Sequence, residues 1–339
     1  MITVIMPVLN EADTITTVLD SLVKQTHQPD EVIVVDGGSQ DNTVSILESY
    51  KDRLPLRILH RPNGNISISR NLAVLQASHD IIAATDAGTR LDEHWLENIT
   101  HPLLTDEQIQ IVGGYYEIDA RTPLQQAIGA IDSRLSNQIN PDKYLPNSRS
   151  IAFRRAAWER VGGYPEWLDY CEDLVFSYRV KIAYGMRDVF EPDALLRYEP
   201  RATIHEFFWQ YFRYARGDGK AGLWWKRHIV RFTVYGVLLP LLFALGLIIH
   251  PVVWLELVCL GMLYLYAPFH RLHNFNPHWS AYVWLPVVRL VGDAAKLIGY
   301  PIGVWWRWHN QPPNWRLTTA VGLAASTLTA LFSFGRLMK

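Results

Sequence analysis

Cysteine is scarce in this chain of 339 residues: Cys171 and Cys259 are the two present, far apart and in unlike surroundings. That excludes a disulfide framework and a thiolate zinc site, and it fits a reducing compartment. Net charge is nearly absent as well, at −1, so no global basic field draws nucleic acid, and none is expected as a partner. The opening residues, MITVIMPVLNEAD, offer no basic region, no long apolar core and no small-residue cleavage site. They read as a first strand rather than a signal peptide.

What is present divides into two halves. From Met1 to about Lys226, the brief runs ITVIMPV, EVIVVD, LRIL and DIIAATD each end in a polar or turn residue. Between them, DTITTVLDSLVKQ, DNTVSILESY and ISRNLAVLQAS space their apolar residues at three and four, as helices do. Strands alternating with helices predict an α/β domain over residues 1–226 with a largely parallel sheet, whose ligands bind beyond the carboxyl ends of the strands. PVLNE (7–11), DGGSQD (36–41) and DAG (86–88) then share one rim.

Residues 227–339 form a different, membrane-like region. An apolar stretch over 229–249, free of charge from Phe232 onward, and a second over 252–269 with Glu256 as its one charge predict a helical hairpin broken at His250-Pro251. Residues 281–305 place Arg289, Asp293 and Lys296 on one helical face, as an amphipathic helix lying in the interface does. Residues 317–335 are a third span or a packed surface helix. Basic residues flank the hairpin at Lys226-Arg227 and His270-Arg271, which puts those ends and the first half on the cytoplasmic side.

Several motifs carry chemistry, each with a plainer reading beside it. In VIVVDGGSQDNT, Asp36 offers an acceptor to a base or ribose and the glycines let backbone approach a ligand. Its Gly-Gly pair is not a dinucleotide fingerprint. Ser39, Asp41 and Asn42 are helix caps or ligand contacts. Arg70, in ISISRN, suits a pyrophosphate or a nucleobase edge, or is a surface arginine paired with an acid. Glu172 and Asp173 are adjacent, so they cannot face one another on a helix; one takes a substrate proton while the other caps or binds a cation, or both complement the helix dipole. His205, Gln210, Arg213 and Arg216 lie on a helix just before the hairpin and serve either the site or phospholipid. Asp86 ends a strand as a metal ligand or a turn residue.

In order along the chain, PVLNEADTI, VVDGGSQDNT, GNISISRN, TDAG, NSRSIAFRRAAWERVGGYPE, ED and QYFRYARGD resemble the family 2 glycosyltransferases of GT-A fold, in particular the bacterial membrane-anchored type. The resemblance covers about residues 2–222 and implies an α/β fold with a Rossmann-like mixed sheet, followed by C-terminal membrane helices. It implies a nucleotide-diphosphate-sugar donor, a divalent metal (Mg or Mn), inversion at the anomeric carbon, and a hydroxyl acceptor on a lipid-linked or membrane-associated glycan at the inner (cell) membrane.

By position it assigns Pro7, Leu9, Asn10 and Glu11 to the donor-nucleotide loop. Asp36 contacts the base, Arg70 lies near the donor, Asp86 opens the D-x-D motif, and Asp173 is the general base beside Glu172. Gln210 and Arg213 match Gln-x-x-Arg-Trp, with Tyr214 in place of the tryptophan, and Arg216 follows on the same helix. Two acids of the family pattern are missing, since D-x-D reads Asp86-Ala87-Gly88 and Asp-Asp-Gly-Ser reads Asp36-Gly37-Gly38-Ser39. One aspartate suffices where phosphates and waters complete the shell, and His205 is a candidate further ligand. The altered Gln-x-x-Arg-Tyr and the short apolar tail argue against a processive synthase. Alternatives are transfer to a polyprenyl phosphate, or a silent membrane protein that binds nucleotide sugars.

Overall fold

The computed structural model describes residues 1–132, 136–185, 188–273 and 277–315; the candidate third span at 317–335 lies outside them. In chain order the elements begin β1 (Ile2–Val8), α1 (Ile15–Val23), β2 (Glu31–Asp36), α2 (Thr43–Glu48), β3 (Leu56–His60), α3 (Ile66–Gln76), β4 (Ile81–Thr85), β5 (Thr89–Leu91) and α4 (Trp95–Thr105). They continue β6 (Ile111–Ile118), α5 (Pro123–Asp132), β7 (Ser150–Arg154), α6 (Arg155–Val161), α7 (Glu172–Ala183) and β8 (Asp188–Tyr198). The last are α8 (Ile204–Ala221), α9 (Trp225–Thr233), α10 (Leu239–Ile248), α11 (Trp254–His273) and α12 (Ser280–Asn310). The chain divides into two compact units, one of Met1–Glu117, Ile139–Tyr198 and Pro312–Lys339, the other of Ile118–Gln138 and Glu199–Gln311.

The first unit is built on a sheet of order β3-β2-β1-β4-β7-β6-β8-β5. β1, β2, β3 and β4 are mutually parallel, whereas β7 runs antiparallel to β4 and to β6, and β5 runs antiparallel to β8. The sheet is therefore mixed, as the GT-A resemblance implies, and the strand–helix alternation read from sequence accounts for its parallel part. The four strands read from sequence are the parallel half.

Alternation within the strands feeds two cores. Val4, Met6, Val32, Val34 and Ala83 face α1 and α4, where Leu19, Leu22, Trp95 and Ile99 are buried. Ile5, Ile33, Val35, Ile82 and Ala84 face α3, α6 and α7, meeting Val74, Ala157, Phe176 and Val180. Each Val, Ile, Leu, Met or Phe side chain among them contributes about 1.5–3 kcal/mol on burial. A strand buried on both faces has no polar side to show, so these runs are continuously apolar.

In the second unit, α8 opens with a capping box: Glu206 N donates to Thr203 Oγ1, and Thr203 N donates to Glu206 Oε2, both at 3.2 Å. α12 packs along α8 backbone to backbone. A Cβ at Gly303 would collide with the Arg216 carbonyl, and one at Gly219 with the Tyr300 carbonyl. Around this contact Phe207, Tyr211, Leu285 and Val288 form a core with Ala127 and Ile128 of α5.

Among the described residues two helices are long and apolar enough to cross a membrane, Trp225–Ile248 at mean hydropathy 1.9 and Pro251–His273 at 1.8. The break between them is capped by His250, whose Nδ1 accepts from Val252 N at 3.1 Å. The charged face of α12 is turned onto these helices rather than outward. Asp293 is 2% exposed, accepts from Arg231 Nε at 2.8 Å and the Tyr235 hydroxyl at 2.9 Å, and accepts also from the Tyr264 hydroxyl.

Candidate active site

The carboxyl ends of β1, β2 and β4 form one rim, since Val8 pairs with Asp36 and Ile5 with Ala84. The residues after β1 are stitched to the loop after β2. Asn10 N donates to Ser39 Oγ at 2.8 Å, Gln40 N to Asn10 Oδ1 at 2.9 Å, and Glu11 N to Thr43 Oγ1 at 2.8 Å. Asn10 holds a left-handed backbone with φ +54, a conformation asparagine tolerates better than most residues. Leu9 is exposed and Pro7 stays within β1. Asp41 is occupied locally, accepting from Thr43 N at 3.0 Å and Ala12 N at 3.0 Å, while the N-cap position of α2 falls to Asn42, whose side chain makes no capping bond.

Asp36 is buried, and burial alone would raise its carboxyl pKa. Hydrogen bonds from Ser39, His60 and Gly38 outweigh that and hold it below the ordinary value. Ser39 N lies 3.0 Å from Oδ1 and Gly38 N 3.2 Å from Oδ2. The turn requires glycine at position 38, where φ is +102.

Beyond this loop the site is organised by one guanidinium. Arg70 is 2% exposed and projects from α3, which Asn65 caps by accepting from Ile68 N at 2.9 Å. Its Nη2 donates to Asp86 Oδ1 at 2.9 Å and its Nη1 donates to Glu172 Oε1. Tyr164 lies beneath, with its ring 5.6 Å from the guanidinium carbon. Burial opposes the charge on Arg70, but Asp86 and Glu172 raise its pKa further. The adjacent Asn71 is structural. Its Oδ1 accepts from Tyr164 N at 2.8 Å and Trp158 Nε1 at 3.0 Å, which fixes the GGYPE turn.

Glu172 and Asp173 open α7 after Cys171, whose φ is +63. Successive helical positions point about 100° apart, so the two carboxylates part company. Glu172 turns inward to Arg70 and is buried. Its pKa is pushed up to about 7 by burial first and by Asp173 next, with Arg70 pulling the other way. Asp173 is half-buried and accepts from Ser148 N at 3.2 Å and Leu174 N at 2.8 Å.

Asp86 follows β4 with its side chain 35% exposed. Its carbonyl accepts from Thr89 Oγ1 at 2.7 Å, closing the turn. Oδ2 lies 3.9 Å from Arg149 Nε, a residue that the sequence reading passed over. β7 enters antiparallel beside β4, with Ser150 opposite Thr85, and this pairing delivers Arg149 and Ser148 to the rim. Nothing in NSRS marks that placement locally.

The remaining candidates belong to α8 in the second unit. His205 Nε2 accepts from Trp209 Nε1 at 3.0 Å, and Gln210 Nε2 donates to the Tyr214 hydroxyl at 3.1 Å. Arg213 and Arg216 follow on the same helix. Among the described residues no three His, Cys, Asp or Glu side chains gather as a metal cluster. The donor set at Asp86 is one hard carboxylate, which fits magnesium or manganese when phosphates and waters supply the rest.

The pattern of glycosyl transferase family 2 matches residues 3–161. Those residues are a family 2 glycosyltransferase domain. The chain is 27% identical over 228 residues to the succinoglycan biosynthesis protein ExoA of Rhizobium meliloti, covering 64% of this chain and 68% of that one. It is also 27% identical over 223 residues to the O-antigen chain rhamnosyltransferase RfbN of Salmonella typhimurium, covering 62% and 70%. Among solved structures it is similar to the mannosyltransferase PcManGT from Pyrobaculum calidifontis, in complex with GDP-Man and Mn2+. That likeness has a TM-score of 0.50 at 19% identity, covering 98% of this chain and 87% of that one. At this identity the likeness is one of fold. The fold is GT-A, followed by two apolar helices.

Proposed function

We propose that this glycosyltransferase moves a sugar from a nucleoside-diphosphate donor to a hydroxyl of a lipid-linked or membrane-associated glycan, with inversion and one sugar per encounter. The observation that carries the reading is the buried Arg70, which joins the half-buried Asp86 at a strand end to the start of the helix bearing Asp173. Pro7, Leu9, Asn10, Glu11 and Asp36 hold the nucleoside. Gln210, Arg213 and Arg216 are assigned to the donor by the family pattern, and His205 is a candidate ligand by its place before them.

The acceptor oxygen attacks the anomeric carbon from the face opposite the diphosphate, and the bond from that carbon to the phosphate oxygen breaks. Asp173 takes the acceptor's proton, and the nucleoside diphosphate leaves with the electron pair. Asp86 would hold a divalent ion, whose chemistry would be counter-charge for the leaving group. Glu172 and Arg70 position this machinery from below.

The apolar hairpin supports placement at the inner membrane, and the basic residues at its ends support a cytoplasmic catalytic domain. Tyr214 in place of the family's tryptophan supports single transfers rather than polymer synthesis.

The test is incubation of membranes holding the full chain with a panel of radiolabelled nucleotide sugars, following label into lipid and polysaccharide. Label from one donor in a lipid-extractable glycan is the expected result. Transfer of no donor, alongside an active control enzyme, overturns the reading.

A further inference from the structure

Asp86 stands between two guanidinium groups that differ in kind. Arg70 is fully buried and already holds Glu172. Arg149 is half-buried, with its side chain 21% exposed and its Nε 3.9 Å from Asp86 Oδ2, too long for a hydrogen bond. Two aromatic faces carry it: Tyr198 at the end of β8, 4.0 Å from the guanidinium carbon, and Tyr116 of β6 at 5.4 Å. Such stacking fixes the plane of the fork and keeps its N–H groups directed along that plane, past the rings.

The second acid of D-x-D is replaced by Gly88. A Cβ built there meets nothing within 4 Å, so the site has room for the missing carboxylate and lacks it. One carboxylate binds a divalent ion more weakly than two, and a fixed cation 3.9 Å away weakens it again. The same cation attracts phosphate oxygens directly, in the paired geometry that arginine favours. We infer that Arg149 binds the donor's diphosphate directly and sustains nucleoside-diphosphate binding without a divalent ion, a role that rests on the nucleotide-sugar reading above. The site then divides its counter-charge between a loosely held ion and a guanidinium fixed on an aromatic shelf.

Binding of UDP, GDP, CDP, ADP and dTDP to the full chain in detergent, measured by calorimetry in manganese and in EDTA, tests this. Wild type is expected to bind one of them in both conditions. Arg149→Ala should lose tenfold or more of that affinity in EDTA and less in manganese, with Arg149→Lys intermediate and the matching nucleoside unaffected. Unchanged affinity of Arg149→Ala in EDTA overturns the inference, as does wild-type binding that vanishes in EDTA; both leave the nucleotide-sugar reading intact. Equal loss of nucleoside and nucleoside diphosphate overturns it too, by showing collapse of the pocket. Wild type that binds none of the five in either condition overturns the nucleotide-sugar reading itself.

Discussion

Arg70 donates to Asp86 Oδ1 at 2.9 Å from inside the core, so the carboxylate at the site's mouth is held by a guanidinium that solvent scarcely reaches. The same guanidinium holds Glu172. Removing it strands a buried carboxylate, and breaking such a pair costs about 3–5 kcal/mol. Arg70→Met should lower stability by that amount in a urea melt, and adding Glu172→Met should recover part of the loss. A double variant no more stable than Arg70→Met contradicts this.

The raised pKa of Glu172 carries a sign. Its ordinary value is 4.5 and its folded value about 7. Between the two, the folded protein holds a proton that the unfolded chain has released, so stability falls as pH rises. The contribution is fully present below about pH 4.5 and gone above about pH 7. Melting temperatures of wild type minus those of Glu172→Gln should therefore decline across that window. A flat difference contradicts it.

Gly88 leaves open the space that a second carboxylate fills in D-x-D. Gly88→Asp should tighten manganese binding on the order of tenfold, because ligand charge sets divalent affinity. Competition with a fluorescent chelator reads this directly, and unchanged affinity contradicts it.

α8 and α12 touch through glycine, with the Arg216 carbonyl where a side chain at position 303 would lie. Gly303→Val must push the helices apart at a cost of about 1–3 kcal/mol. A lower melting temperature in detergent is expected, and an unchanged one places the contact elsewhere.

The parallel half of the first unit was legible because β1, β2 and β4 are buried on both faces and show as nearly continuous apolar runs, with the short LRIL of edge strand β3 beside them. β6 and β8 were not. Gly113 and Gly114 interrupt β6, and at Gly114 a side chain would strike Ser150 Oγ and the Ala194 carbonyl. Packing demands glycine where strand signals ask for branched residues. β8 carries Glu191, Pro192 and Asp193, which hide its alternation.

The site residues were legible as motifs, and the inward and outward division of Glu172 and Asp173 followed from helical geometry. Arg149 was not legible, because its position depends on an antiparallel pairing that joins residues 65 apart, Thr85 and Ser150. The burial of Arg70 was hidden for the same reason, since its partner Glu172 lies 102 residues away.

The most direct measurement is single-turnover transfer by purified Asp173→Asn, with donor affinity determined alongside. The predicted result is a rate lower by about 10²–10⁴ with donor affinity and melting temperature unchanged. Near wild-type transfer by the folded variant, together with severe loss in Asp86→Ala, would contradict the assigned base and favour an acceptor that is already an anion, such as a polyprenyl phosphate.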